Sequence, residues 1–140
     1  MNGGGGTLNL APNLNHRDPV LRSIIEDRRF RIALSLAINR NEMNEVGYFG
    51  LGKAMQNAPP STSLYYVPEY ESAYTQYDPG AANLLLDEMG LDKRDRRGVR
   101  IRPDGKPIQI FIDSASMVGN MQLIELVAEY WSAVGVKTDV

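Results

Sequence analysis

The stretch from Ile108 to Val140 constrains the fold most. In IQIFID, Ile108, Ile110 and Ile112 alternate with Gln109, Phe111 and Asp113. That gives a strand one strongly apolar face and one mixed face. In MVGNMQLIELVAEYWSAVG, Leu123, Ile124, Val127, Trp131 and Val134 share one side of a helix. Glu125, Glu129 and Ser132 share another, and Gly135 fits the stop. VKTDV then returns as a strand, spanning Val136 to Val140. Strand, helix and strand in that order imply parallel pairing through a right-handed crossover. The expected class is α/β, with a mixed or parallel sheet covered by flanking helices.

Upstream, TLNLAPNLN alternates in part and is interrupted by Pro12, which suggests an edge strand or extended segment. EDRRFRIALSLAINR carries Phe30, Ala33, Leu34, Ala37 and Ile38, the stripe of an amphipathic helix. Glu26 and Asp27 stand where a helix start favours negative charge. Asn41 is placed to cap a second short helix, Glu42 to Tyr48. From Gly50 to Glu71 the glycines and prolines predict an irregular loop carrying Tyr65, Tyr66 and Tyr70. Asp78, Pro79 and Gly90 read as N-cap, first helical residue and C′ stop of a helix whose apolar face is Ala82, Leu85, Leu86 and Met89. The segment from Asp92 to Lys106 is rich in Arg and Lys, and Asp104-Gly105 marks a hairpin turn.

A chain of 140 residues fits one domain. Its formal charge of −2 gives no pull toward nucleic acid or anionic membrane. Without cysteine there are no disulfides or thiolate zinc sites, which fits an oxidising compartment. No run of apolar residues is long enough to span a membrane as a helix. MNGGGGTLNL lacks the basic and apolar regions of a signal peptide, and Gly3 to Gly6 read as a flexible stretch or an excision point. The final VGVKTDV stops within a strand pattern, so an excised piece of a larger protein is expected.

Motifs for chemistry are thin. Gly47 to Lys53 approximates a phosphate-binding loop, but a helix precedes it, Ala54 replaces the hydroxyl residue, and prolines follow. His16-Arg17-Asp18 matches part of a kinase catalytic loop without its partner motifs. His16, the only histidine, is expected on the surface. The basic run has no interleaved aromatics for stacking bases and reads as a solvated hairpin. The three tyrosines are expected to pack their loop onto the domain, with ligand stacking the alternative. No base and nucleophile converge, so an enzyme is not expected, and neither a metal nor a cofactor is assigned.

Asp113, Ser114 and Ser116 follow the predicted strand, and Asn120 falls in the first turn of the next helix. Ligands of open α/β sheets bind beyond the carboxyl ends of strands, so Ser114, Ser116 and Asn120 are candidate ligand-binding residues. Helix capping is their simpler role.

Several motifs together resemble extracellular solute-binding proteins of family 5, the peptide, oligopeptide and nickel receptors of ABC importers. They are Arg31-Ile-Ala-Leu-Ser-Leu-Ala-Ile-Asn-Arg40, Gly50-Leu-Gly52, Pro59-Pro60, YDPGAANLLLDEMGL and ELVAEYWSAVGVKTDV. The resemblance covers nearly the whole chain. It implies a fold of the type II periplasmic-binding-protein kind, with residues 1–140 a single-domain fragment of one of two lobes. It also implies a peptide or similar small-molecule ligand between the lobes, a membrane permease as partner, and a periplasmic or extracellular, surface-attached parent. By position it adds Asn9, Asn13 and Asn15 to the candidate ligand-binding residues. Their amides suit hydroxyl-rich ligands as well as peptides, so an oligosaccharide receptor is the alternative. A nucleotide-binding enzyme using Gly47–Lys53 and a self-associating fragment are the rival readings.

Overall fold

A computed structural model of the protein describes residues 8–113 and 121–140. Six helices and two strands occur among them: α1 (Pro19–Glu26), α2 (Arg28–Leu36), α3 (Arg40–Tyr48), α4 (Pro68–Ser72), α5 (Pro79–Glu88), β1 (Gln109–Phe111), α6 (Met121–Ala133) and β2 (Lys137–Asp139).

The strand–helix–strand expectation holds. β1 and β2 pair in parallel, Gln109 with Lys137, Ile110 with Thr138 and Phe111 with Asp139. The strands are shorter than the sequence suggests. Their buried apolar ends, Ile108 and Val136, lie just before the ladder. α6 buries Leu123, Ile124, Val127 and Trp131, with Val134 just past its end. α2 lies across α5 and α1, α3 meets α6, and the Trp131 indole N–H donates to the Leu34 carbonyl at 2.9 Å, joining α6 to α2.

Helix ends follow local chemistry. The Asp78 side chain accepts the Ala81 N–H, and Pro79 opens α5. At its other end the Gly90 N–H donates to Asp87 and the Leu91 N–H to Leu86, the two bonds of a Schellman motif, with Gly90 at φ 78°. α6 ends the same way, Gly135 to Ser132 and Val136 to Trp131. α2 is capped by Asp27, as the acidic start suggested.

One helix was not anticipated and two expectations need correcting. Residues 19–26, beyond the predicted extended segment, form α1. Its Asp18-Pro19 start is the cap-and-proline pair of Asp78-Pro79, and Leu21, Ile24 and Ile25 are its buried face. The cap of α3 is Asn39, whose side chain accepts the Glu42 N–H at 3.2 Å; Asn41 is exposed inside the helix. The loop after Gly50 contains a five-residue helix, α4, opened by Pro68.

The basic hairpin is present as two antiparallel bridges, Arg94 with Arg100 and Ile101 with Pro107. It is not simply solvated. Arg100 is 0% exposed and Arg102 is also buried. Arg100 donates to the carbonyls of Val134 (2.7 Å), Leu91 (2.6 Å) and Asn83 (3.3 Å), to the Asn83 side chain (2.8 Å) and to Asp87 (2.5 Å). A guanidinium is stable without water when its five N–H groups find fixed acceptors. Arg100 therefore pins the hairpin to α5 and to the end of α6.

Candidate functional site

An open groove of about 1730 Å³ runs along the protein, lined by residues 8–13, parts of α2 and α3, residues 51–57 and the chain from Pro107 to Asp113. Three polar clusters hold its walls. The Tyr48 hydroxyl accepts the Leu8 N–H at 3.3 Å, tying the first segment to α3. Arg40 donates to the Ser35 carbonyl and hydroxyl (both 2.8 Å). The Ser35 hydroxyl donates to the Tyr74 carbonyl (2.8 Å), and the Gln56 amide donates to the Ala73 carbonyl (2.7 Å). Burial pushes the Arg40 guanidinium below its usual value. Tyr74 takes up this position at φ 56°, a left-handed conformation costly for a non-glycine residue.

The third cluster centres on Glu71. Its carboxylate accepts from the Lys53 ammonium and the Tyr66 hydroxyl, and its side chain is 11% exposed while that of Lys53 is 73% exposed. The Lys53 bond first, then the Tyr66 bond, hold the Glu71 carboxyl below the ordinary glutamate value; Lys53 and Tyr66 are both raised by the carboxylate. A depressed carboxyl contributes stability that is complete above its unfolded value and is lost as pH falls through the folded value. For Glu71 that loss begins near the ordinary value of 4.5 and proceeds to lower pH. Glu71→Gln is therefore expected to be less stable than the parent at pH 7 and to lose less on acidification. Thermal unfolding followed by circular dichroism from pH 7 to pH 3 reads this directly, and parallel curves for the two proteins would show that the cluster is energetically silent.

Among the sequence candidates, Asn9 and Asn13 line the groove. The Asn13 side-chain oxygen is engaged locally, accepting the Asn15 N–H at 3.0 Å, and Asn15 is exposed outside the groove lining. Ser114, Ser116 and Asn120 lie outside the described residues. Tyr65 and Tyr70 do not pack their loop down, being 83% and 66% exposed; Tyr66 alone of the three is bound, to Glu71.

The phosphate-loop geometry is absent. Gly47 lies inside α3, where a Cβ would come within 2.5 Å of a Leu123 methyl, so it serves the close approach of α3 to α6. No helix follows directly on Lys53, the next being α4 from Pro68, and the Lys53 ammonium is taken by Glu71. Sequence reasoning missed Arg40, Gln56 and Glu71 as groove-shaping residues. Their immediate neighbours are largely polar, so no local pattern singled them out, and their partners lie up to 35 residues away.

The cations Arg40, Lys53 and Arg102 are thus already neutralised or bound: Arg40 by carbonyls, Lys53 by Glu71, and Arg102 by Asp18 (2.8 Å) and Asp104 (2.5 Å). Among the described residues no three acidic or histidine side chains gather to hold a metal. His16, Arg28, Arg31, Lys106 and the Asp113 carboxylate also line the groove, so its surface combines apolar area and amides with charges of both signs, an arrangement that holds a polar or zwitterionic solute by shape, hydrogen bonding and charge.

The family model for "Bacterial extracellular solute-binding proteins, family 5 Middle" matches residues 2–140. The chain is 29% identical over 121 residues to a dipeptide-binding protein of Escherichia coli, covering 86% of this chain and 21% of that protein. It superposes on a solved oligopeptide-binding protein, OppA, with a TM-score of 0.81 at 45% identity, covering 89% of this chain and 20% of that one. A Thermotoga maritima periplasmic oligopeptide-binding protein solved with mannohexaose bound gives a TM-score of 0.61 at 28% identity, covering 79% and 22%. The chain thus spans about a fifth of the length of the relatives it matches.

Proposed function

This chain belongs to the bacterial extracellular solute-binding proteins of family 5, and we propose that it forms part of one lobe of the solute receptor of an ABC importer. In this reading the groove is one wall of a cleft that takes up short peptides outside the cytoplasmic membrane and hands them to a permease. The observation that carries the reading is the groove itself: about 1730 Å³, lined by apolar and amide-bearing residues with Arg28, Arg31, Lys106 and Asp113 among them, and with Arg40, Lys53 and Arg102 bound to neighbouring groups. Such a wall contributes no reacting group, so the expected chemistry is binding and release by closure of two bodies. The 45% identity to an oligopeptide-binding protein supports a peptide as the solute.

Oligosaccharide binding is the second reading. It is favoured by the amides of Asn9 and Asn13 on the groove and by the mannohexaose complex of the Thermotoga relative. A thermal-shift series on the longest polypeptide that the reading frame encodes separates the two. Di- to octapeptides at a hundred times their dissociation constant are expected to stabilise the folded state by about 2.7 kcal/mol. A shift with mannohexaose alone would replace the peptide reading with the second one, and no shift with either would overturn both.

A further inference from the structure

Histidine 16 stands out among the groove residues. It is half-buried, lines the groove, and its Nδ1 accepts the Asp18 N–H at 3.1 Å. That bond fixes the ring in two ways. It orients the imidazole, and it requires a lone pair on Nδ1, so the neutral ring carries its proton on Nε2. Asp18 is itself held, since its carboxylate caps α1 through Val20 (2.9 Å) and Leu21 (3.1 Å) and pairs with the buried Arg102 at 2.8 Å. The ring is therefore anchored through α1 to the hairpin. Its Nε2–H has no acceptor among the described residues.

We propose that His16 is a ligand-contacting residue that donates its Nε2–H to an uncharged oxygen of the solute, a main-chain carbonyl of a peptide in first place. The inference rests on the binding function proposed above and adds to it the residue and the direction of the hydrogen bond. A fixed donor with no protein acceptor, set on the lining of a groove, loses water when a solute enters and needs a replacement acceptor. A sugar hydroxyl would offer the same chemistry, and the test separates the two sources.

Two substitutions divide the ring's functions. In His16→Asn the side-chain oxygen takes the place of Nδ1 and can accept the Asp18 N–H, but nothing replaces the Nε2 donor. In His16→Gln the amide N–H reaches toward the Nε2 position. Binding of tetra-alanine and of mannohexaose is measured by calorimetry on the longest encoded polypeptide, with thermal unfolding recorded in parallel. His16→Asn is expected to keep the parental unfolding temperature and bind tetra-alanine about tenfold more weakly, the effect of one lost hydrogen bond. His16→Gln is expected to recover most of that loss. Parental tetra-alanine affinity in His16→Asn overturns the inference while leaving the receptor function standing. Binding of mannohexaose alone, weakened tenfold in His16→Asn, keeps the His16 contact and overturns the peptide as its source. If neither probe binds the parent protein, the contact falls together with the function it serves.

Discussion

Arg100→Met is expected to destabilise the protein by about 3–5 kcal/mol, the cost typical of removing one member of a buried charged network. The size follows from what stays behind. The Leu91 carbonyl loses its donor, and the Val134 carbonyl keeps only the long 3.4 Å bond from Arg94; an orphaned buried acceptor costs about 1–3 kcal/mol. Methionine fills much of the volume, so the loss is polar rather than a cavity effect. Arg100→Lys restores the charge but brings three donors on one atom in place of a planar fork, and it should recover less than half of the deficit. Asp87→Asn is the contrasting change. Its side chain is 49% exposed, so water screens the pair and the expected loss is under about 1 kcal/mol. Urea titration reads the difference, with a midpoint fall of roughly 2 M for Arg100→Met and little change for Asp87→Asn. Equal effects would mean that the ion pair, and not the capture of carbonyls, gives Arg100 its weight.

Gly135→Ala is expected to cost about 3 kcal/mol, unusually large for the addition of one methyl group. Two causes combine. Gly135 has φ 90°, where an L side chain costs roughly 1–2 kcal/mol by its own backbone clash. The new Cβ would also lie 2.8 Å from Arg100 Cγ, 2.8 Å from Arg94 Nη1 and 3.0 Å from the Gly98 carbonyl. Relief would come from moving Arg100, which is held on five sides. The two sites are therefore coupled, and Gly135→Ala should cost measurably less in an Arg100→Ala background. A double-mutant cycle by thermal unfolding tests this. Additive losses would show that the contact with Arg100 adds nothing, leaving backbone strain and the Arg94 and Gly98 contacts to account for the glycine.

Both predictions concern scaffold rather than groove, and they explain why the long basic stretch follows α5. Its arginines are clamps: Arg100 joins the hairpin to α5 and α6, and Arg102 joins it to the cap of α1 through Asp18. The groove wall that includes residues 8–13, Asp18 and His16 is thus positioned by residues more than 80 positions away in the chain.

Local order could be read directly from the residues. The boundaries of α5, the Gly135 stop and the apolar face of α6 follow from caps and periodicities that act within a few residues, and the order strand, helix, strand implied the parallel pair β1–β2. α1 carried the same signature in Asp18-Pro19 and was obscured by the extended pattern before it. The family motifs along the chain foretold the class of protein in the same way, since the spacing of helix, glycine pair and proline loop is a linear property. The groove was not foreseeable by such means. Glu71 meets Lys53 across 18 residues, and Arg40 reaches Thr75 across 35. Arg100 is buried because carbonyls from Asn83, Leu91 and Val134 converge on one point. Whether a polar side chain is solvated, clamped or presented to a solute depends on which distant acceptors folding brings within 3 Å, and no periodicity in the chain encodes that distance.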